Sequence, residues 1–311
     1  MPAALTHYVF SNNLVKNDKY KDIFLLGSQG ADTLFFYGYN ISKRVNKKEI
    51  SDFGFYIHRI NPSDLFFKML AYAFKQEKET KEMLIEFTRG FMYHYVLDRT
   101  IHPYVFYNTG FPYTNETYKL NHGFFEGSLD RALMNEYGYK VSNRRAIKAN
   151  SKYVKLCSSM LSEVCNELMG KETLYKDSYY KAYQDFRLVR LFLDSKYGVK
   201  KAIFNKFLHD TPINTMSQPS KINDDIDYLN NSNNRWLNPT TGKESNESIK
   251  DLFKKAELDS RVVDTIIYNY KENIVTKRKL DKFVDNINHD GMLLDSNMRF
   301  FKNIYKQNSS D

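Results

Sequence analysis

Three side chains of metal-binding type sit four residues apart in "GFMYHYVLDRTIHPY" (90–104): His94, Asp98 and His102. On a helix, positions i, i+4 and i+8 drift by only about 40° per step, so the three form one near-continuous stripe. Their neighbours are Phe, Met, Tyr, Val and Leu, which obliges the helix to turn at least part of that stripe inward. A buried Asp is costly unless paired or bound to a cation, and two histidines at ligand spacing make a metal ion the simplest partner. His122 and Glu126 in "NHGFFEGSLD" repeat the i, i+4 arrangement. Asp32 in "LLGSQGADTLFFY", His7 and His58 lie beside further apolar or aromatic segments. Each of these residues alone also fits an ordinary structural role. A core histidine can simply be hydrogen-bonded, an Asp at i+4 can orient it, and Asp32 can cap a helix after a glycine-containing turn.

The elements that must position these groups read as helices. The 311 residues contain only thirteen Gly and seven Pro, few for a turn-rich β protein, and 42% apolar content is ample for a core. The fold class is therefore all-α, with one compact multi-helix domain expected over 1–311. Helical periodicity predicts helices over 62–76, 78–102, 120–137, 146–170, 172–208, 246–272 and 291–305. Pro103 is expected to end the second of these, because the residue before a proline is pushed out of the α region, and Gly170 to end the fourth. Residues 217–248, rich in Asn, Ser and Asp, read as an extended loop with turns. Cys157 and Cys165 are eight apart on one predicted helix, too distant to bridge, and read as reduced core residues. No basic leader with a long apolar run opens the sequence and no stretch approaches the roughly 18 apolar residues of a membrane span, which points to the cytoplasm. The net charge of +9 is spread out and comes without a nucleic-acid recognition motif.

The ordered series of His7, Asp32 in "GSQGAD", His58 in "FYIHRI", the "HYVLDRTIHP" block and "HGFFE" resembles the zinc-dependent phospholipase C family. Further on, "RWLNP" (235–239) followed by a helix is similar to that family's closing part. The resemblance implies a compact all-helical fold shared with a class of metal-dependent nucleases, holding up to three zinc ions. It implies that Asp32, His58, His94 and Asp98 hold one zinc, and that His102, His122 and Glu126 hold a second. His7, a second oxygen of Asp98 and the chain terminus would hold the third. Removal of Met1 would leave the secondary amine of Pro2 five residues before His7 as that terminal ligand. Choline-selective members carry an aromatic residue directly after the Asp where this chain has Thr33, although Phe35, Phe36, Tyr37 and Phe55 are close in sequence.

The chemistry this implies is phosphoester hydrolysis by zinc-activated water, with Asp32 orienting or deprotonating that water. A phospholipid is the leading substrate, with peripheral membrane contact, and "PYVFYNTGFPY" (103–113) is a candidate for the mouth of the site. Two alternatives stand beside it. One is a hydrolase of nucleotides or small phosphoesters, with nucleic acid ranking below lipid as a partner. The other is a non-catalytic, zinc-stabilised protein that binds membranes or partners. Trp236 reads as a core anchor, and His209–Asp210 and His289–Asp290 read as structural or surface pairs rather than ligands.

Overall fold

A computed structural model describes residues 4–39, 44–111, 115–138, 148–193, 219, 221–271, 277–294, 296–302 and 304. The fold is all-α, as the composition predicts. In chain order the elements are α1 (Ala4–Leu14), α2 (Lys21–Gly27), a 3-10 helix (Gly30–Phe36), α3 (Lys47–Arg59), α4 (Pro62–Phe74), α5 (Lys78–Thr109) and α6 (Glu116–Tyr137). Then come α7 (Ser151–Met169), α8 (Ser178–Leu193), a two-stranded hairpin, α9 (Ile249–Lys271) and α10 (Lys277–Val284). Trp236 of the hairpin pairs with Ser245, and Leu237 with Glu244, within the turn-rich segment predicted over 217–248. Among the described residues, no helix is long and apolar enough to cross a membrane.

Asparagine caps set several of the helix starts. Asn61, Asn115 and Asn150 each accept a hydrogen bond from the backbone N–H two residues on, satisfying an amide that lacks a helical partner. Pro62 occupies the first position of α4, where its missing N–H costs nothing. The Asn150 cap also moves the start of α7 to Ser151, later than the predicted 146, while Gly170 ends it in the left-handed conformation as predicted. Both cysteines are free and buried on this helix.

The 32-residue α5 is the spine, packed against α1, α2, α4, α6, α7, α9 and the 3-10 helix. Its crossing with α2 is unusually close. A Cβ on Gly27 would lie 2.2 Å from the Phe87 carbonyl oxygen, and one on Gly90 2.1 Å from that of Phe24, so both backbones meet through glycine. On the opposite side Arg99 donates to Asp259 at 2.6 Å and the Tyr93 hydroxyl to Asp264 at 2.9 Å, tying α5 to α9.

Two further predictions fail for identifiable reasons. Pro103 does not stop α5, which runs on to Thr109 and ends at Gly110. A proline inside a helix forfeits a hydrogen bond, here the one to the Arg99 carbonyl, but burial of Tyr104, Val105 and Phe106 sustains the following turns. Residues 103–109 therefore form helix, with Tyr104, Val105 and Phe106 buried. The predicted helix over 291–305 does not form among its described residues either. Asn288 Oδ1 accepts from the backbone N–H of Asp290 and Met292, and the Arg299 and Phe300 N–H groups donate to the Pro239 carbonyl. Side chain and distant backbone have taken the donors that a helix would need. Of the predicted helix over 172–208, α8 begins only at Ser178, and residues 194–208, like His209–Asp210, lie outside the described residues.

At the other end of the chain, α1 is fastened by α6. The buried Asp130 carboxylate accepts from the Leu5 N–H (3.2 Å), the Thr6 N–H (2.8 Å) and the Thr6 hydroxyl (2.8 Å), capping the first turn of α1 from a neighbouring helix. Replacing it by Ala strands buried donors, so Asp130→Ala should cost about 2 kcal/mol, read as a fall of several degrees in melting midpoint. An unchanged midpoint would show that α1 is held by apolar packing alone.

Candidate metal centre

All eight residues singled out from the sequence converge. The stripe of α5 faces inward, with His94, Asp98 and His102 buried on successive turns. The 3-10 helix delivers Asp32, the last turn of α3 delivers His58, α1 delivers His7, and one face of α6 delivers His122 and Glu126. All five of these side chains are buried as well. His58 is buried because α3 also turns Ile50, Phe53 and Ile57 to the core, and position 58 extends the same face.

Asp98 sits in the middle. Its Oδ1 lies 3.0 Å from His7 Nε2 and 3.9 Å from His102 Nε2, while Oδ2 lies 3.0 Å from His94 Nε2 and 3.9 Å from His58 Nε2. Asp32 places Oδ1 3.1 Å from His58 Nε2 and Oδ2 3.7 Å from His94 Nε2. Glu126 Oε1 is 3.1 Å from His122 Nε2 and 3.5 Å from His102 Nε2. Three groups result, each with its ligand atoms within 4.8 Å of one another: His7–His94–Asp98, Asp32–His58–His94 and His102–His122–Glu126.

The donor chemistry fits divalent cations. Both nitrogens of His94, Oδ2 of Asp32 and Oδ2 of Asp98 are buried and make no hydrogen bond. His94 Nε2 and Asp98 Oδ2 stay unbonded although only 3.0 Å apart, because their alignment is poor. Groups that crowd together without bonding are disposed to share a third partner, and imidazole nitrogen with carboxylate oxygen is a donor set zinc accepts. Two histidines are oriented from behind. His58 Nδ1 is 2.7 Å from the Gly54 carbonyl and His102 Nδ1 is 3.1 Å from the His289 carbonyl, so each Nδ1 donates to that carbonyl and each Nε2 faces the centre.

The charges agree with this. Burial works to neutralise Asp98 and Glu126, but the surrounding imidazoles outweigh it and hold both carboxyls well below the usual range. Burial also opposes charge on His102, and Asp98 and Glu126 override it, pushing its pKa up to about 10. His122 goes the other way, with burial taking it down to about 4 and Glu126 offsetting only part. Asp98 and Glu126 are thus ionised at neutral pH, the state a carboxylate needs in order to bind a metal.

Aromatic rings wall the centre. Phe106 stacks on His102 and His122 at ring separations of 5.1 and 5.3 Å, and Phe35 stacks on His58 at 5.6 Å. Thr33 is buried, with its hydroxyl 3.4 Å from that of Tyr179. Trp236 is the core anchor expected of it, its indole N–H donating to the Glu247 carbonyl and its ring packed on Tyr104. Residues 1–3, with the chain terminus as a candidate ligand, lie outside the described residues.

A surface position for His289–Asp290, one of the two the sequence suggests, does not hold. Both residues are fully buried against the centre, with the His289 ring 5.2 Å from that of His58 and 5.9 Å from that of His94. Nothing local marks them, since the short "INHDGM" segment has no helical spacing to reveal a face.

Gly30 makes room for the first group. Its φ is +54°, and a Cβ there would fall 2.1 Å from the His94 ring. Gly30→Ala should therefore displace either His94 or the 3-10 helix and lower the zinc retained per chain while leaving the helical circular dichroism in place. Wild-type zinc content in that variant would separate His94 from metal binding.

The zinc dependent phospholipase C family model matches residues 2–178, more than half of the chain and a span that contains all eight converging residues. The match stops short of "RWLNP" and of His289. Among curated proteins no match is found, and among solved structures none either. The family match and three clusters of buried ligand-type side chains support a metal-dependent hydrolase, and the chain belongs to the zinc-dependent phospholipase C family.

Proposed function

We propose that this protein is a zinc-dependent phosphoester hydrolase that cleaves phospholipids at the headgroup phosphate in the manner of a phospholipase C. The observation that carries this reading is the placement of Asp98, whose two oxygens face two different sets of histidines. One carboxylate can then bridge two cations, and its negative charge offsets their repulsion. In this reading His7, Asp32, His58, His94, Asp98, His102, His122 and Glu126 are the protein ligands of up to three zinc ions.

Bound zinc would lower the pKa of water to about 7 and polarise phosphoryl oxygens, so no serine or cysteine nucleophile is required. Asp32 is the catalytic base. Its oxygens lie 3.1 Å from His58 Nε2 and 3.7 Å from His94 Nε2, so one would ligate the metal and the other would orient the attacking water and accept its proton. As the new oxygen–phosphorus bond forms, the bond from phosphorus to the departing lipid alcohol breaks. The rings of Phe35 and Phe55, 4.5 Å apart, stand on this side of the centre, with Phe35 stacked on His58.

Asp32→Asn keeps the size of the side chain and removes its basicity. Turnover on phospholipid in mixed micelles should fall at least about a hundredfold, far more than zinc content or the melting midpoint falls. Equal losses of zinc, stability and activity would make Asp32 a structural ligand only. With the wild-type protein, cleavage of nucleotides or single-stranded nucleic acid but not of micellar lipid would assign the nuclease-type activity instead. Full zinc with no turnover on any phosphoester would assign a non-catalytic role.

A further inference from the structure

The buried polar groups do not end with the eight candidate ligands. His289 and Asp290 follow α10 in a turn that lies outside the family match, and they are 0% and 1% exposed. The His289 main chain touches two of the candidate metal groups at once. Its N–H donates to the His58 carbonyl at 3.3 Å, and its carbonyl accepts from His102 Nδ1 at 3.1 Å. His58 belongs to the group with Asp32 and His94, and His102 to the group with His122 and Glu126, so one residue's peptide units span both.

Asp290 is the more telling of the two. Both of its carboxylate oxygens are buried without a hydrogen bond, and Oδ1 lies 4.0 Å from His102 Nδ1, behind the ring and away from the face that meets Glu126. A carboxylate buried in this way is expensive unless positive charge lies close by, and a turn needed only for packing has no use for one. The turn is also firmly built. Asn288 Oδ1 accepts from the N–H of Asp290 (2.9 Å) and of Met292 (3.1 Å), and Gly291, with φ at +71°, lets the backbone close on the Arg99 carbonyl where α5 lacks the hydrogen bond lost to Pro103. Each divalent ion would bring two positive charges to a ligand set with only three carboxylates, Asp32, Asp98 and Glu126.

We propose that the Asn288–Gly291 turn is the outer support of the metal centre: the His289 main chain fixes His58 relative to His102, and Asp290 supplies, through His102, a negative charge that strengthens metal binding at the His102–His122–Glu126 group. Asp290 is a positioning residue and not a ligand, since its Oδ1 meets His102 on the Nδ1 side, away from Glu126. The inference rests on the metal-centre reading above and extends it to a segment that carries no ligand.

The test is zinc affinity of the full chain, measured by competition with a chromogenic chelator, alongside the melting midpoint of the zinc-free protein. Asp290→Asn should melt at or above the wild-type zinc-free midpoint, because a buried carboxylate without a hydrogen bond is gone. It should bind one zinc about 10- to 100-fold more weakly, the range typical of outer-shell partners. Asp290→Glu, which restores the charge, should recover part of that loss. Asn288→Ala, which loosens the turn without touching a charge, should weaken the same zinc several-fold and provides the reading if Asp290→Asn does not fold. Wild-type zinc affinity in whichever of Asp290→Asn and Asn288→Ala folds would overturn the proposal, as would a fall in zinc-free stability with affinity unchanged. A wild-type protein that binds no zinc at all would instead overturn the metal-centre reading on which it rests.

Discussion

A carboxylate removed from water must be met by donors or by positive charge, and Asp98 makes that demand well inside the helix on which most other elements pack. Imidazoles from three helices answer it: His7 from α1, His58 from α3, and His94 and His102 from α5 itself. They do so incompletely, because several nitrogens and oxygens in the cluster remain unbonded at short range. An apolar core of the same shape would be cheaper to fold. The arrangement is explained if the residual attraction is directed at cations, whose binding energy then contributes to the stability of the fold.

The scaffold is organised to bring backbones closer than side chains normally permit. Gly27 and Gly90 let α2 lie directly on α5, which sets the 3-10 helix that follows against His94, and Gly30 removes the last obstacle there. Asp32 thereby arrives over the α5 stripe from a segment too short to reach it otherwise. From the other side, α6 contributes twice through one face, with Glu126 towards His102 and, one turn later, Asp130 capping α1. The placement of His7 therefore depends on the same helix that supplies Glu126, and α1 and α6 cannot shift independently without disturbing the centre.

The chain divides its labour unevenly along its length. Every candidate ligand lies within the first 126 residues, inside the family match, while the C-terminal part meets the centre from behind. α9 clamps α5 through Arg99–Asp259, and the turn after α10 meets His58 and His102 by main-chain hydrogen bonds. Outer contacts of this kind fix the ring orientation and the proton position of ligating histidines. The His289–Asp290 turn thus backs a candidate centre whose ligand-type side chains all come from elsewhere.

Local spacing determined much of this protein. The i, i+4, i+8 stripe on α5 and the i, i+4 pair on α6 are properties of any helix with that sequence, so both sets of candidate ligands are legible in the order of residues alone. The all-α class and the glycine stop of α7 are legible in the same way. Asp32, His7 and His58 carry no such geometry and stand out only as members of an ordered series. Tertiary structure decided the rest. Pro103 stays inside α5 because burial of Tyr104, Val105 and Phe106 outweighs a lost hydrogen bond, which no local rule about proline takes into account. The described residues after 291 stay irregular because Asn288 and the distant Pro239 carbonyl capture amides among them. His289 and Asp290, peripheral by the look of a short segment without periodicity, reach the centre through long-range contacts, with 187 residues separating the partners of the His102 bond. Periodicity reports which side of an element is buried, but only the folded chain sets what that side is buried against.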